Sequence, residues 1–119
     1  MTGRILPHLI EVRQGDSFTI RLQFRNEKGF IDITGASLKM QVRNRLNNTI
    51  VLNKIGEIDD AVKGKAHIGI VPSDTKNLST AGDYIADIQI VFASGEIHTI
   101  YPQDINKFAA FVVSQGVTE

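Results

Sequence analysis

His8, His67 and His98 are the chain's only imidazoles, and with no cysteine present they are the first candidates for metal ligation or general-base chemistry. They fall in three separate segments, with none of the short spacings that bring two ligands onto one ion. Asp59 and Asp60 are adjacent and Asp83 and Asp87 are close in sequence, the nearest approaches to a carboxylate pair. Neighbouring residues of a strand point to opposite faces, so Asp59 and Asp60 converge only if a loop turns them. The Glu57 to Asp60 loop offers oxygens for calcium but lacks alternating ligands around an obligatory glycine. Ser17, Ser73 and Ser79 have no histidine in a motif around them, and no glycine-rich phosphate loop follows a strand. The expectation is a chain with no catalytic residues, no metal and no cofactor, hence not an enzyme.

Arg21, Arg25, Lys39 and Arg43 form polar rows on two strands expected to be neighbours, a face that could hold phosphate. Recognition of single strands also needs exposed aromatics among the cations, and Phe18 and Phe24 alternate to the other side. Neither nucleic acid nor a small molecule is expected as a ligand.

The elements that would carry these residues read as strands. Phe18, Ile20, Leu22 and Phe24 alternate with Thr19, Arg21, Gln23 and Arg25, the period of two of a half-buried strand. Asn26 to Gly29 follows as a loop. Ala36, Leu38, Met40 and Val42 repeat the pattern, a loop spans Asn44 to Asn48, and Ile50 to Leu52 makes a short strand. GEIDDAVKG, residues 56 to 64, reads as a loop or an irregular edge. Lys65 to Val71 returns to strand, Pro72 ends its ladder, and Ser73 is placed to cap one helical turn. Tyr84 to Phe92 and Gly95 to Tyr101 form a hairpin with a glycine bulge, and Phe108 to Val113 closes the domain. With an opening strand near Leu9 to Arg13, seven or eight short strands predict an antiparallel β-sandwich, with a small closed barrel as the alternative.

Tyr84 opens the most regular of these strands, just after Leu78 and a tight turn at Gly82. In a Greek-key sandwich, such a tyrosine lays its ring on the core and returns its hydroxyl to the corner backbone. Leu78, Gly82 and Tyr84 are therefore read as a structural corner; the alternative is an ordinary core tyrosine.

From Asn106 to Val113 both parities are apolar: Phe108, Ala110 and Val112 on one, Ala109, Phe111 and Val113 on the other. One row fills the core, and the other needs a loop or a second subunit to cover it. Parity alone does not choose between them. The candidate interface is Ile5, Leu6, Phe108, Phe111 and Val113, with the opening residues covering the row in the same chain or across a subunit boundary.

The 119 residues suit one domain, residues 1 to 119 with a core of about 8 to 113, and no apolar run approaches a membrane span. Thirteen basic and thirteen acidic side chains cancel, but residues 1 to 45 hold an excess of cations. A neutral protein with complementary halves is prone to self-association, and a homo-oligomer is an expected partner state.

Taken in order, VRQGDSFTIRLQFRNEKG, IDITGASLKMQVRNR, PSDTKNLSTAGDYIADIQIVFASGEIHTI and KFAAFVV resemble the immunoglobulin-like domains of bacteriophage and prophage tail proteins, especially the N-terminal domain of the baseplate upper protein family. The resemblance spans residues 8 to 113. It matches Gly15-Asp16 to the family's turn before the first long strand, Asp32-Ile33-Thr34-Gly35 to a later turn, and Leu78, Gly82 and Tyr84 to the corner. It implies an immunoglobulin-like Greek-key β-sandwich serving as a non-catalytic structural or adaptor module, in contact with other phage tail components. Localisation would be a virion assembled in host cytoplasm, or cytoplasm for a prophage product. Family members often carry the domain at the start of a longer chain; with Glu119 soon after the last strand, a small adaptor is expected. The competing expectation is a bacterial surface or carbohydrate-binding sandwich, with Tyr101 and His98 near its rim.

Overall fold

The computed structural model describes residues 3–104 and 107–115. Its elements run β1 (Gly3–Leu6), β2 (Leu9–Arg13), β3 (Phe18–Gln23), β4 (Arg25–Asn26), β5 (Gly29–Phe30), β6 (Ser37–Asn44), β7 (Ile50–Ile55), β8 (Glu57–Asp60), β9 (Lys65–Ile70), a single helical turn α1 (Pro72–Thr75), β10 (Tyr84–Val91), β11 (Ile97–Tyr101) and β12 (Ala109–Ser114). Alternation creates these strands: in β6 Leu38, Met40 and Val42 are buried, and in β10 Tyr84, Ala86, Ile88 and Ile90 are.

The described residues form an all-β domain of three sheets. A seven-stranded mixed sheet has the order β1-β2-β12-β10-β6-β7, with β11 also pairing β10. All its pairings are antiparallel except β2 with β12, which is parallel. A three-stranded antiparallel sheet has the order β3-β9-β8, and β4 pairs β5 as a ribbon. Among the described residues the large sheet is open at β1, β7 and the outer edge of β11, with no pairing that closes it into a barrel. Both larger sheets feed one hydrophobic cluster, with Ile10, Met40, Ile88 and Phe111 from one and Ile20, Ile68 and Ile70 from the other.

Several segments depart from the sequence expectation. The long strand after Ser17 stops at Gln23, because Phe24 donates to the Gly64 carbonyl (2.8 Å) and accepts from Ile31 (3.0 Å); the chain then turns into the β4–β5 ribbon. Of the two alternatives for residues 56 to 64, residues 57 to 60 take the irregular edge: every residue is exposed and the register shifts between Ile58 and Asp60. Ser73 does not cap α1. The Asp74 carboxylate accepts the Val71 N–H instead (2.8 Å), and Pro72, which has no N–H to satisfy, opens the turn. The hairpin after β10 does close on a glycine bulge, with the Gly95 N–H on the Phe92 carbonyl (2.8 Å), the Phe92 N–H on the Glu96 carbonyl (2.9 Å) and Gly95 at φ 92°; a second bulge, not expected, lies farther along between Ile88 and Gln89.

Candidate functional site

The corner assembles as a physical device. Tyr84 is 8% exposed, and its hydroxyl accepts the Ser79 N–H at 3.0 Å, returning to the backbone before the turn. Its ring lies against Gly82, where any Cβ would overlap ring atoms, so the absent side chain makes room for the aromatic. Leu78 packs against the core cluster, and its carbonyl accepts from the Gln14 side chain at 2.8 Å. Gln14 and Thr75 escaped sequence reading: the wholly buried Thr75 hydroxyl accepts the Gly15 N–H (3.0 Å), so the β2–β3 turn is tied to α1. A threonine at the end of a one-turn helix in a polar run gives no periodic signal; only its partner across the fold explains it.

The final strand resolves into one inner and one outer row. Ala109, Phe111 and Val113 are 0%, 1% and 2% exposed, whereas Phe108 is 53% and Val112 36% exposed. Phe111 and Val113, candidates for an interface, are therefore core residues, and their side chains are not available to a partner. Ile5 and Leu6 remain exposed; β1 extends the sheet beside β2 and does not fold over the outer row of β12. Asn106, which opens the expected final stretch, lies outside the described residues.

Cross-strand register carries the outer row across the large sheet. Leu6 sits opposite Leu9, Leu9 beside Ala110, Ala110 opposite Ile85, and Ile85 opposite Arg43. Directly paired residues share a face, so four strands contribute one continuous apolar line that ends at a guanidinium. Phe108 flanks it, with the Arg45 guanidinium 4.7 Å from its ring centre; Arg45 in turn meets Asp83 at 3.3 Å. Between Phe108 and β6 lies an open hollow of about 350 Å³, lined in part by Gln41, Ile85, Asp87 and Thr99. Burial pushes the Asp87 carboxyl above its ordinary pKa, while Arg43 and Lys39 pull the other way.

The other candidates stay apart. His67 lies between Asp59, at 2.8 Å from Nδ1, and Glu57, at 3.4 Å from Nε2, on the outward side of the three-stranded sheet. His98 is exposed and meets Glu96 at 3.5 Å and Phe92 edge-on at 5.6 Å. Among the described residues no group of three His, Cys, Asp or Glu could hold a metal ion, and no helix is long and apolar enough to cross a membrane. The basic strands expected to be neighbours are not: Arg21 is on β3, which pairs β9, while Lys39 and Arg43 are on β6, which pairs β7 and β10. Arg25 stacks on Phe30 at 5.2 Å. Tyr101 is not on an open rim either. It is 8% exposed and donates its hydroxyl to the Leu6 carbonyl at 2.7 Å; burial pushes its phenol above the ordinary pKa, partly offset by the Leu9 backbone.

No protein-family model matches the chain, and no curated protein matches it significantly.

Proposed function

We propose that the chain is a non-catalytic assembly module of a phage or prophage tail or baseplate, built as an immunoglobulin-like Greek-key sandwich. Three features support the sandwich reading: strands β2-β12-β10-β6-β7 in one sheet against β3-β9-β8 in the other, the parallel β2–β12 pair, and the tyrosine corner. The viral context rests on the sequence resemblance. The observation that carries an assembly role is the apolar line from Leu6 through Leu9 and Ala110 to Ile85, with exposed Phe108 and Val112 beside it. A strip of that kind on an outward sheet face is a place for another protein to dock.

The test is to disrupt the gene in a producing phage or prophage and examine the particles. Absence of the protein should yield incomplete or non-infectious tails, and mass spectrometry should find it in intact ones. Particles of unchanged morphology and infectivity without it would overturn the reading. The bacterial surface alternative loses its aromatic contact, since Tyr101 is tied into the core.

A further inference from the structure

Among the described residues the two larger sheets have five unpaired edges, β1, β7 and β11 on one and β3 and β8 on the other, and they differ in how they discourage pairing. β11 is interrupted by the bulge that leaves Ile100 without a partner on β10, and it holds His98 against Glu96. β8 exposes Glu57, Asp59 and Asp60 and is broken by a register shift. β3 carries Arg21 in its middle, and β1 is only four residues long with Arg4 near its centre. Charges, brevity and bulges of this kind are the usual protection of a sheet edge. β7 is different. Its six residues, IVLNKI, include one charge, and the Lys54 ammonium is turned onto Asp74 at 2.9 Å with its side chain only 21% exposed. Ile50 and Ile55 meanwhile stand 47% and 69% exposed. The cation that would guard this edge is already neutralised within the chain.

We propose that β7 pairs with β7 of a second copy, antiparallel about a two-fold axis through Asn53 and normal to the sheet. The register follows from which residues share a face. Asn53 and Ile55 lie opposite Gln41 and Lys39 on the outward side; Leu52 and Lys54 lie opposite Val42 and Met40 on the core side. A two-fold axis normal to the sheet preserves faces, so it sets Asn53 against Asn53, Ile55 against Val51 and Lys54 against Leu52 of the other copy. Val51 falls at the register shift between Val42 and Arg43; it is half-buried against the core cluster, while Ile50 beside it is exposed. The match is self-complementary in chemistry. A carboxamide both donates and accepts, so exposed Asn53 can bond its own symmetry mate, and no like charges oppose one another. On β8 the same operation would bring carboxylates together. This inference concerns a different surface from the apolar line and stands without it. Because the axis is normal to the sheet, the two copies would present their apolar lines on the same side.

Sedimentation equilibrium on the full chain tests the proposal, with melting temperature as the control for folding. Wild type should be a dimer. Asn53→Asp and Asn53→Lys each place like charges across the axis and should weaken dimerisation by about tenfold or more, with melting of the isolated chain unchanged. Mixing the two variants in equal amounts should restore a dimer, because opposite charges now meet. A wild type that stays monomeric, a dimer indifferent to both substitutions, or an open-ended polymer, which would point to head-to-tail pairing of β1 with β7, would each overturn it.

Discussion

The outward faces of the two larger sheets lie over one shared hydrophobic cluster, yet they are chemically opposite. On the three-stranded sheet Arg21 sits opposite His67 and His67 opposite Glu57, with Asp59 closing on the imidazole. Positive, titratable and negative groups thus follow one another across a single rung, and the face is solvated and internally matched. On the large sheet the corresponding rung is Leu6, Leu9, Ala110 and Ile85 before any charge appears. Equal burial on the inside therefore says nothing about the role of the outside. Only the second face has apolar surface that gains from being covered.

The largest effect that could sharpen this contrast lies within one strand. Phe111→Ala should cost about 3 to 5 kcal/mol in urea denaturation, since its ring is buried and leaves a cavity, while Phe108→Ser should stay within about 0.5 kcal/mol. Equal costs would mean that the outer row is as much core as the inner one, and the contrast would fail. At the corner, Tyr84→Phe keeps the ring but leaves the Ser79 N–H without its acceptor, at a cost of about 1 kcal/mol or more. A neutral Tyr84→Phe would leave an ordinary core ring and no anchored corner.

Smaller still is the effect of Asp87 on the outer face. Its folded-state pKa is raised, so the folded chain holds this proton more tightly than the unfolded chain does, and ionisation opposes folding as pH rises through the carboxylate range. Asp87→Asn should then raise the melting temperature slightly at pH 7, with the gain shrinking as the pH is lowered toward the unfolded carboxylate value. A gain that grows on acidification would contradict the burial cause. The least effect belongs to the polar face: His67→Ala should change stability by no more than about 0.5 kcal/mol, because the pairs it breaks are near the surface. A larger loss in thermal melting would show that the rung holds the small sheet together.

β3, β6 and β10 were legible in the sequence because each buries one parity and wets the other, the situation in which period two is informative. β12 was legible as a strand but not in its facing, since both parities are apolar and only its neighbours choose between Phe108 and Phe111. β8 could be read only as a loop or an irregular edge, because an edge strand exposed on every residue has no alternation to choose between them. In β11, Thr99 faces outward with Gln89 whereas Tyr101, two residues on, turns inward with Ile88; the intervening register shift reverses the parity, so the burial of Tyr101 could not be counted out along the strand. The separation of Arg21 from Arg43 reflects sheet partnership, a long-range property that no local spacing encodes.

The parallel pairing of β2 with β12 has a mechanical consequence. Tension entering ahead of β2 and leaving beyond β12 pulls these two neighbours along their length in opposite directions. Five register pairs from Leu9 with Ala110 to Arg13 with Ser114 are then loaded together, reinforced by the Gln14 N–H on the Ser114 carbonyl at 2.8 Å. An antiparallel hairpin such as β1 with β2, pulled at its open end, yields one bond at a time; a parallel pair must slide as a whole. In single-molecule pulling between the two ends, β1 should peel away at low force, and the β2–β12 seam should give way in one abrupt step at a much higher one. A gradual release of that seam would be the contrary result. A module placed where a machine contracts or strikes a surface would carry its load through that seam.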